Sequence, residues 1–260
     1  MAGVRPALKA PPMARSLAAC LFLSAAAGHA AEPASPVPIE SVAEMGVLLT
    51  EADDRIGELD KLLADEAAFE KAGEMALPSA AGVLACIGQF VALHPEGAKS
   101  GVNGTALRDA AMELAEAGDL DEAKAAKEKV AAARGGEGEG GAVEDATWYD
   151  LIPSYYLMEE INTRNSKLVR VSRRPRGKPE EAAHAAVIAL LCLPMHAQAE
   201  DYVLEDADLP DYQGLALKYQ DEVAAMARAV TAKDGPEVKR LLLASKKTCD
   251  QCHTKYRDGE

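Results

Sequence analysis

The stretch Cys249-Asp250-Gln251-Cys252-His253, near the carboxyl end of the chain, is the most informative part of the sequence. Its Cys-x-x-Cys-His spacing is typical of covalent haem attachment. Two thiols three positions apart can each form a thioether with one vinyl group of a porphyrin, and the next imidazole can be the proximal ligand of the iron. The motif therefore predicts one covalent haem c held by Cys249 and Cys252, with His253 on the iron.

Two other interpretations of the motif are weaker. A structural zinc site usually needs four ligands in spaced pairs, whereas Cys20, Cys86 and Cys192 are isolated in the sequence. A thioredoxin-type redox motif belongs to a βαβ context, and no such pattern surrounds this run. The haem interpretation requires export, because haem is attached to apocytochromes outside the bacterial cytoplasm.

The amino terminus predicts that export. Residues 1–31 combine basic residues, a short apolar run and small residues before a cleavage point, the pattern of a signal peptide. Met13 is an alternative start. The run Leu17-Ala18-Ala19-Cys20 resembles an acylation box, but the apolar run follows Cys20 instead of preceding it. We expect a periplasmic protein, with a lipoprotein as the less favoured alternative.

Composition and charge narrow the classes of partner. The 260-residue chain carries a net charge of −14, and removal of residues 1–31 would make it more acidic, which argues against nucleic acid as a partner. No segment after the signal peptide is long and apolar enough to span a membrane. Nothing resembles a hydrolase triad, a phosphate-binding glycine loop or a carboxylate metal cage. We expect a carrier and not an enzyme, with a redox partner that the sequence does not identify.

The chain is rich in helix-forming residues and divides into two similar halves. We predict an all-α fold of two tandem up-down four-helix bundles, joined by a glycine-rich linker over residues 135–145. The first bundle covers residues 32–134 and the second residues 146–260. The predicted helices are 39–74, 78–94, 105–117 and 120–134, then 148–172, 179–202, 209–232 and 236–257.

Capping boxes support the repeat. Asp119 with Glu122, and Asp234 with Glu237, each indicate the start of the last helix in a half. Aligning the two boxes places Arg134 opposite Cys249, so only the second bundle can carry the haem. The last helix repeats inward positions at 3-4 spacing: Val238, Leu241, Ser245, Cys249, Cys252 and Tyr256.

The run from Cys249 to Arg257, placed at the end of a four-helix pattern, resembles the class II cytochromes c, the cytochrome c-prime family. The resemblance covers residues 148–257 and includes the pair Tyr256-Arg257 after the histidine. It implies that Tyr256 and Arg257 contact the haem, and that the first helix of the bundle supplies the residue over its distal face. Met158 stands at that position. It is a candidate sixth ligand, and the alternatives are a neighbouring distal contact or core packing.

The resemblance leaves two functions open. With His253 and Met158 as axial ligands, the protein would transfer single electrons. With five-coordinate iron, it would bind a diatomic gas such as nitric oxide or carbon monoxide. Because this family commonly forms dimers of two bundles, we expect a monomer in which the two fused bundles pair as an intramolecular pseudo-dimer.

The other chemically active residues have simpler expected roles. Cys86 and Cys192 lie in apolar helices and are expected to be buried thiols, with a disulfide between them as the less favoured alternative. His196 is expected at a partly exposed position, and His94 and His184 at surface or hydrogen-bonded positions. The basic stretch from Arg164 to Lys178 is expected to be a solvated loop that balances local acids; alternatively it steers an acidic partner or pairs with the haem propionates.

Overall fold

The structure of the chain is a computed structural model that describes residues 35–257. All regular secondary structure in this range is helical, which confirms the all-α prediction. The predicted signal peptide over residues 1–31, together with Met13 and Cys20, lies outside the described residues.

Nine α-helices follow one another in the described range. They are α1 (Met45–Leu62), α2 (Glu66–Gly73), α3 (Ala76–Leu93), α4 (Gly104–Glu116), α5 (Leu120–Arg134), α6 (Ser154–Val171), α7 (Pro179–Ala197), α8 (Leu209–Thr231) and α9 (Gly235–Tyr256). The first five belong to the first half of the chain and the last four to the second half.

The predicted first helix over residues 39–74 is divided in the structure. A 3-10 turn over Ile39–Ser41 precedes α1, and Asp65 interrupts the chain after it. The Asp65 side chain accepts a hydrogen bond from the backbone N–H of Ala68 at 2.9 Å, which caps the first turn of the short α2. A capping signal inside a long periodic pattern therefore produced two helices.

The two predicted capping residues are confirmed. The Asp119 side chain accepts from the backbone N–H of Glu122 at 2.8 Å at the start of α5, and Asp234 accepts from Glu237 at 3.1 Å at the start of α9. In the first case the Glu122 carboxylate accepts from the N–H of Gly118 at 2.9 Å. These bonds satisfy N–H groups that a helix start otherwise leaves without a partner.

Helices that follow one another through short connections pack side by side in each half. In the first half, α3 packs against α1 and α4, and α5 packs against α4 and α1. In the second half, α6 packs on α7, α7 on α8, and α8 on α9. The central helices α3 and α7 are apolar over almost their whole length and are almost completely buried.

The two halves pack directly against each other, and the described residues 35–257 belong to one compact unit. The apolar α3 contacts both α6 and α7, and α1 lies along α7. The contact is tight at Gly82 of α3, where a Cβ atom would lie 2.6 Å from the Cγ1 atom of Ile152 in the second half. The apolar faces that a single bundle would leave open are thus covered by the other half.

The glycine-rich segment between the halves is hydrogen-bonded to α4 at several points. Fully buried Arg108 of α4 donates to the carbonyl of Ala142 at 3.0 Å and to that of Val143 at 3.1 Å. Asn103 donates to the carbonyl of Gly138 at 2.9 Å, and the N–H of Gly141 donates to Asp109 at 2.7 Å. The segment predicted as a glycine-rich linker is therefore held against the first half by hydrogen bonds.

One helix in the described range, α3, has the length and composition of a membrane span, although no such segment was expected from the sequence. However, 78% of its residues are buried inside the protein. Its apolar character is accounted for by its central position between α1, α4, α6 and α7.

Candidate functional site

The Cys-x-x-Cys-His motif occupies the last turns of α9. Cys249 and Cys252 are partly buried and pack against the apolar core. Nearer the start of the helix, the same face carries Val238, Leu241 and Ser245, each less than 5% exposed. The 3-4 pattern read from the sequence is therefore the inward face of α9, and both motif cysteines belong to it.

The two motif thiols lie in surroundings that favour their uncharged form. Burial, with the neighbouring Cys249, raises the pKa of Cys252 to about 11. Burial likewise raises the pKa of Cys249 above its ordinary value. A zinc site needs cysteine as the thiolate, and no group of three or more His, Cys, Asp or Glu within residues 35–257 is placed to hold a metal ion.

Side chains from the other three helices of the half meet near Cys249. Tyr219 of α8 is 4% exposed, and its hydroxyl accepts a hydrogen bond from Asn165 of α6 at 3.0 Å. Cys192 of α7 is fully buried. Burial raises the pKa values of both Tyr219 and Cys192, and the nearby Cys249 raises them further. The first motif cysteine thus faces a convergence of α6, α7 and α8.

Three tyrosines form a cluster beside Cys252. The Tyr202 and Tyr212 rings stack with centroids 5.2 Å apart and an angle of 11°, and Tyr256 meets Tyr212 edge-on at 5.3 Å. The Tyr256 hydroxyl donates to Asp211 at 2.8 Å, which fixes the end of α9 against the start of α8. The structure thus places Tyr256, which the family resemblance singled out, beside the second cysteine.

Some polar groups on the buried face of α8 have no partner in the described part of the chain. The Tyr212 side chain is 2% exposed and its hydroxyl makes no hydrogen bond; the same is true of both amide atoms of fully buried Gln220. Buried polar groups in folded proteins are nearly always hydrogen-bonded. Inward thiols, aromatic walls and an unpaired polar atom beside Cys252 together fit a haem as an additional group in this half.

The remaining predicted site residues lie in the same half on different helices. His253 directly follows Cys252 in α9 and is partly buried. Its carbonyl accepts a hydrogen bond from the N–H of Arg257 at 3.0 Å. The Arg257 side chain is exposed. Met158 is partly buried on α6, next to fully buried Leu157, and packs against the core. The pairing of Met158 and His253 as axial ligands stays a prediction.

Of the other two described cysteines, Cys192 lies near Cys249, and Cys86 lies on α3 in the first half. Cys86 and Cys192 are both fully buried free thiols, as expected, and they form no disulfide. His94 accepts a hydrogen bond from the N–H of Glu96 at 3.1 Å, and its ring packs on Phe90 with centroids 5.2 Å apart. His196 is partly buried near the end of α7, and Pro194 does not interrupt that helix.

A charge ring of Glu51, Arg55, Glu160 and Arg164 joins the two halves, and sequence reasoning missed it. Each arginine contacts the glutamate of its own helix and that of the other helix. Within one helix the distances are 2.9 Å from Arg55 to Glu51 and 2.7 Å from Arg164 to Glu160. The signal was present as a Glu-x-x-x-Arg pair in both α1 and α6.

The charge ring corrects one part of the basic stretch predicted as a solvated loop. Arg164 is 1% exposed and forms part of the interface between the halves. Burial acts to raise the pKa of Glu51, but the charges and hydrogen bonds of Arg164 and Arg55 outweigh it and lower that pKa. Further along, Arg176 balances a local acid as expected, because it donates to Glu181 at 2.5 Å.

A mixed-charge cleft of about 1170 Å³ opens above the charge ring, between α1, α6 and the start of α7. His184 lines it, and its Nδ1 atom is buried and has no hydrogen-bond partner within residues 35–257. Burial and the cations Arg164 and Lys167 lower the pKa of His184 to about 4. This histidine is therefore uncharged at neutral pH.

Comparisons with protein-family models, curated proteins and solved structures each gave no match for this chain.

Proposed function

We propose that this protein is an exported c-type cytochrome that transfers single electrons through one covalently bound haem c. The observation that carries the proposal is the placement of Cys249 and Cys252 on the inward face of α9, followed directly by His253. When bound, the haem supplies an iron centre that changes its charge by one electron.

Each part of the chain has a distinct role in this proposal. Cys249 and Cys252 would anchor the porphyrin through thioethers, and His253 would ligand the iron from the same helix. Met158 on α6 would supply the opposite ligand, and a methionine–histidine pair raises the reduction potential. The aromatic rings of Tyr212 and Tyr256 would exclude water from one side of the group.

The first half would serve as a partner in cis. Its α1 and α3 cover α6 and α7 of the second half, and the charge ring fixes their relative position. Fusion makes the effective local concentration of the two halves high. We therefore propose that the haemless half replaces a second copy of the chain, so that the protein is a monomer with an internal pseudo-dimer.

The decisive experiment is mass spectrometry of the full chain produced in the periplasm together with haem-attachment machinery. The unmodified protein should carry one porphyrin, with the absorption spectrum of a haem held by two thioethers. Cys252→Ala should retain at most one thioether, whereas Cys86→Ala, a matched change of a fully buried thiol on α3 of the first half, should keep both. A chain with no porphyrin, or with two, would refute the proposal.

A further inference from the structure

The second half carries opposite charges at its two ends. The acidic loop, residues 199–208, joins α7 to α8 and contains no lysine or arginine. Its acidic residues are Glu200, Asp201, Glu205, Asp206 and Asp208. The other end of α7 follows the basic turn, residues 172–178, which contains Arg173, Arg174, Arg176 and Lys178. A helix of the length of α7 spans about 28 Å, so the two charged segments lie far apart.

Most of the charge of the acidic loop is not neutralised by the protein. Lys255 pairs with Asp208 at 2.7 Å and with Asp211 at 3.2 Å. Glu205 and Asp206 are exposed and make no ion pair with any residue in the described range. A negative potential therefore remains at this end of the half, and it attracts cationic groups from solution.

Exposed apolar side chains share this end. Leu204, within the acidic loop, is 91% exposed, and Tyr149 is 46% exposed with its hydroxyl donating to Asp201 at 3.3 Å. Tyr155, on the first turn of α6, is 61% exposed. Gln198, directly before the acidic loop, donates to the carbonyls of Tyr149 and Ile152 at 2.9 and 2.8 Å and so holds the loop next to the segment before α6. An apolar centre with a charged rim is typical of protein interfaces.

The same loop is in direct contact with the attachment site. Tyr202 belongs to the acidic loop and stacks on buried Tyr212 at 5.2 Å, and Tyr212 in turn meets Tyr256 of α9. Cys252 lies close enough to help raise the pKa values of both Tyr202 and Tyr212, after burial as the main cause. A partner seated on the loop would therefore be separated from the second attachment cysteine by only a few stacked side chains.

We propose that the acidic loop, with Leu204 at its centre, is the docking surface for a one-electron redox protein that presents a basic rim around an apolar patch. This inference rests on the proposed electron-transfer function. In the complex, one electron leaves the reduced protein and one oxidised centre of the partner takes it up, without transfer of a proton or a bond. The basic turn at the far end repels such a partner and orients its approach.

The test measures second-order rate constants for oxidation of the reduced full-length protein by stopped flow. One acceptor is a small basic cytochrome c with lysines around its haem edge, and the other is the hexacyanoferrate(III) anion. Glu205→Lys/Asp206→Lys should lower the rate with the basic acceptor roughly tenfold at low ionic strength and raise the rate with the anion. The Glu70→Lys/Glu74→Lys protein, with the same change in net charge at two exposed positions at the end of α2, is the matched control and should change both rates much less.

The Leu204→Ser variant tests the apolar part of the proposed docking surface separately from its charge. It should lower the rate with the basic acceptor and leave the salt dependence of that rate unchanged. Equal effects of the two double variants, or a rate with the basic acceptor that does not fall as salt rises, would overturn the docking inference. Haem content is measured first for every protein. An unmodified protein without haem overturns the proposed function as well as the docking surface. Normal haem content, together with equal rates for the two double variants, overturns only the docking surface.

Discussion

Replacement of Arg164 by Met would break the charge ring with little change of side-chain volume. The Arg164 guanidinium is buried and donates to Glu160 at 2.7 Å and also to Glu51. In the variant the two buried carboxylates would share a single cation, Arg55. Removal of one partner of a buried ion pair costs about 3–5 kcal/mol. For a domain of this size we therefore expect the melting temperature to fall by roughly 6–20 °C at pH 7.

The pH dependence makes this expectation specific. The pKa of Glu51 is lowered in the folded protein, so its stabilising contribution is present above the pKa of the unfolded chain, about 4.3, and is lost as pH falls through the folded value. A protonated Glu51 does not need the Arg164 cation. The difference in stability between the variant and the unmodified protein should therefore be largest at pH 7 and should shrink below about pH 4.

The assay is calorimetric melting of the full chain at pH 7 and at low pH. Arg173→Met is the matched control, because Arg173 is exposed and its side chain makes no hydrogen bond or ion pair in the described structure. Adding Glu51→Gln to the Arg164→Met protein should restore part of the loss, since it removes the carboxylate left without a cation. The reasoning would be refuted if the Arg164→Met protein had the same melting temperature as the Arg173→Met control, or if its loss of stability were the same at every pH.

Three further predictions concern Met158, His184 and Gly82. Met158→Ala should convert a low-spin spectrum to high-spin and allow carbon monoxide to bind; an unmodified protein that is already high-spin and binds carbon monoxide would support the gas-binding alternative. His184 has its pKa lowered to about 4, so the unfolded chain takes up the proton first and stability should fall as pH drops from about 6.5 towards 4; His184→Gln should flatten that part of the denaturation profile. Gly82→Ala should destabilise the protein by about 1–3 kcal/mol in urea unfolding, because its new methyl group would overlap Ile152. Gly57→Ala in α1, with nothing within 4 Å of the added atom, should instead be neutral or stabilise it by up to about 1 kcal/mol.

The helical architecture was predictable because it depends on local signals. The 3-4 spacing of residues from Val238 to Tyr256 identifies the inward face of α9 without knowledge of the rest of the fold. Asp119 and Asp234 each cap the helix that begins at the next residue. The Cys249-to-His253 motif is also local, since the chemistry that it suggests is contained in five consecutive residues. The break at Asp65 was missed because an apolar repeat on both sides of a cap looks like one continuous helix.

The contacts between the halves depend on which distant residues the packing brings together. Glu51 and Arg55 on α1 look like a surface pair in the sequence, and so do Glu160 and Arg164 on α6. Only the packing of α1 against α7 and of α3 against α6 buries the four charges in one ring.

The acidic loop acquires its position in the same way. Its charges are visible in the sequence, but their nearness to Cys252 arises from the stacking of Tyr202 on Tyr212 and the contact of Tyr212 with Tyr256. Sequence therefore determined most of the helices, the caps at Asp119 and Asp234, and the Cys249-to-His253 motif, because each depends on residues within a few turns. Tertiary structure decided which charges are buried and which surface lies over the site, because burial and electrostatic neighbourhood depend on residues far apart in the chain.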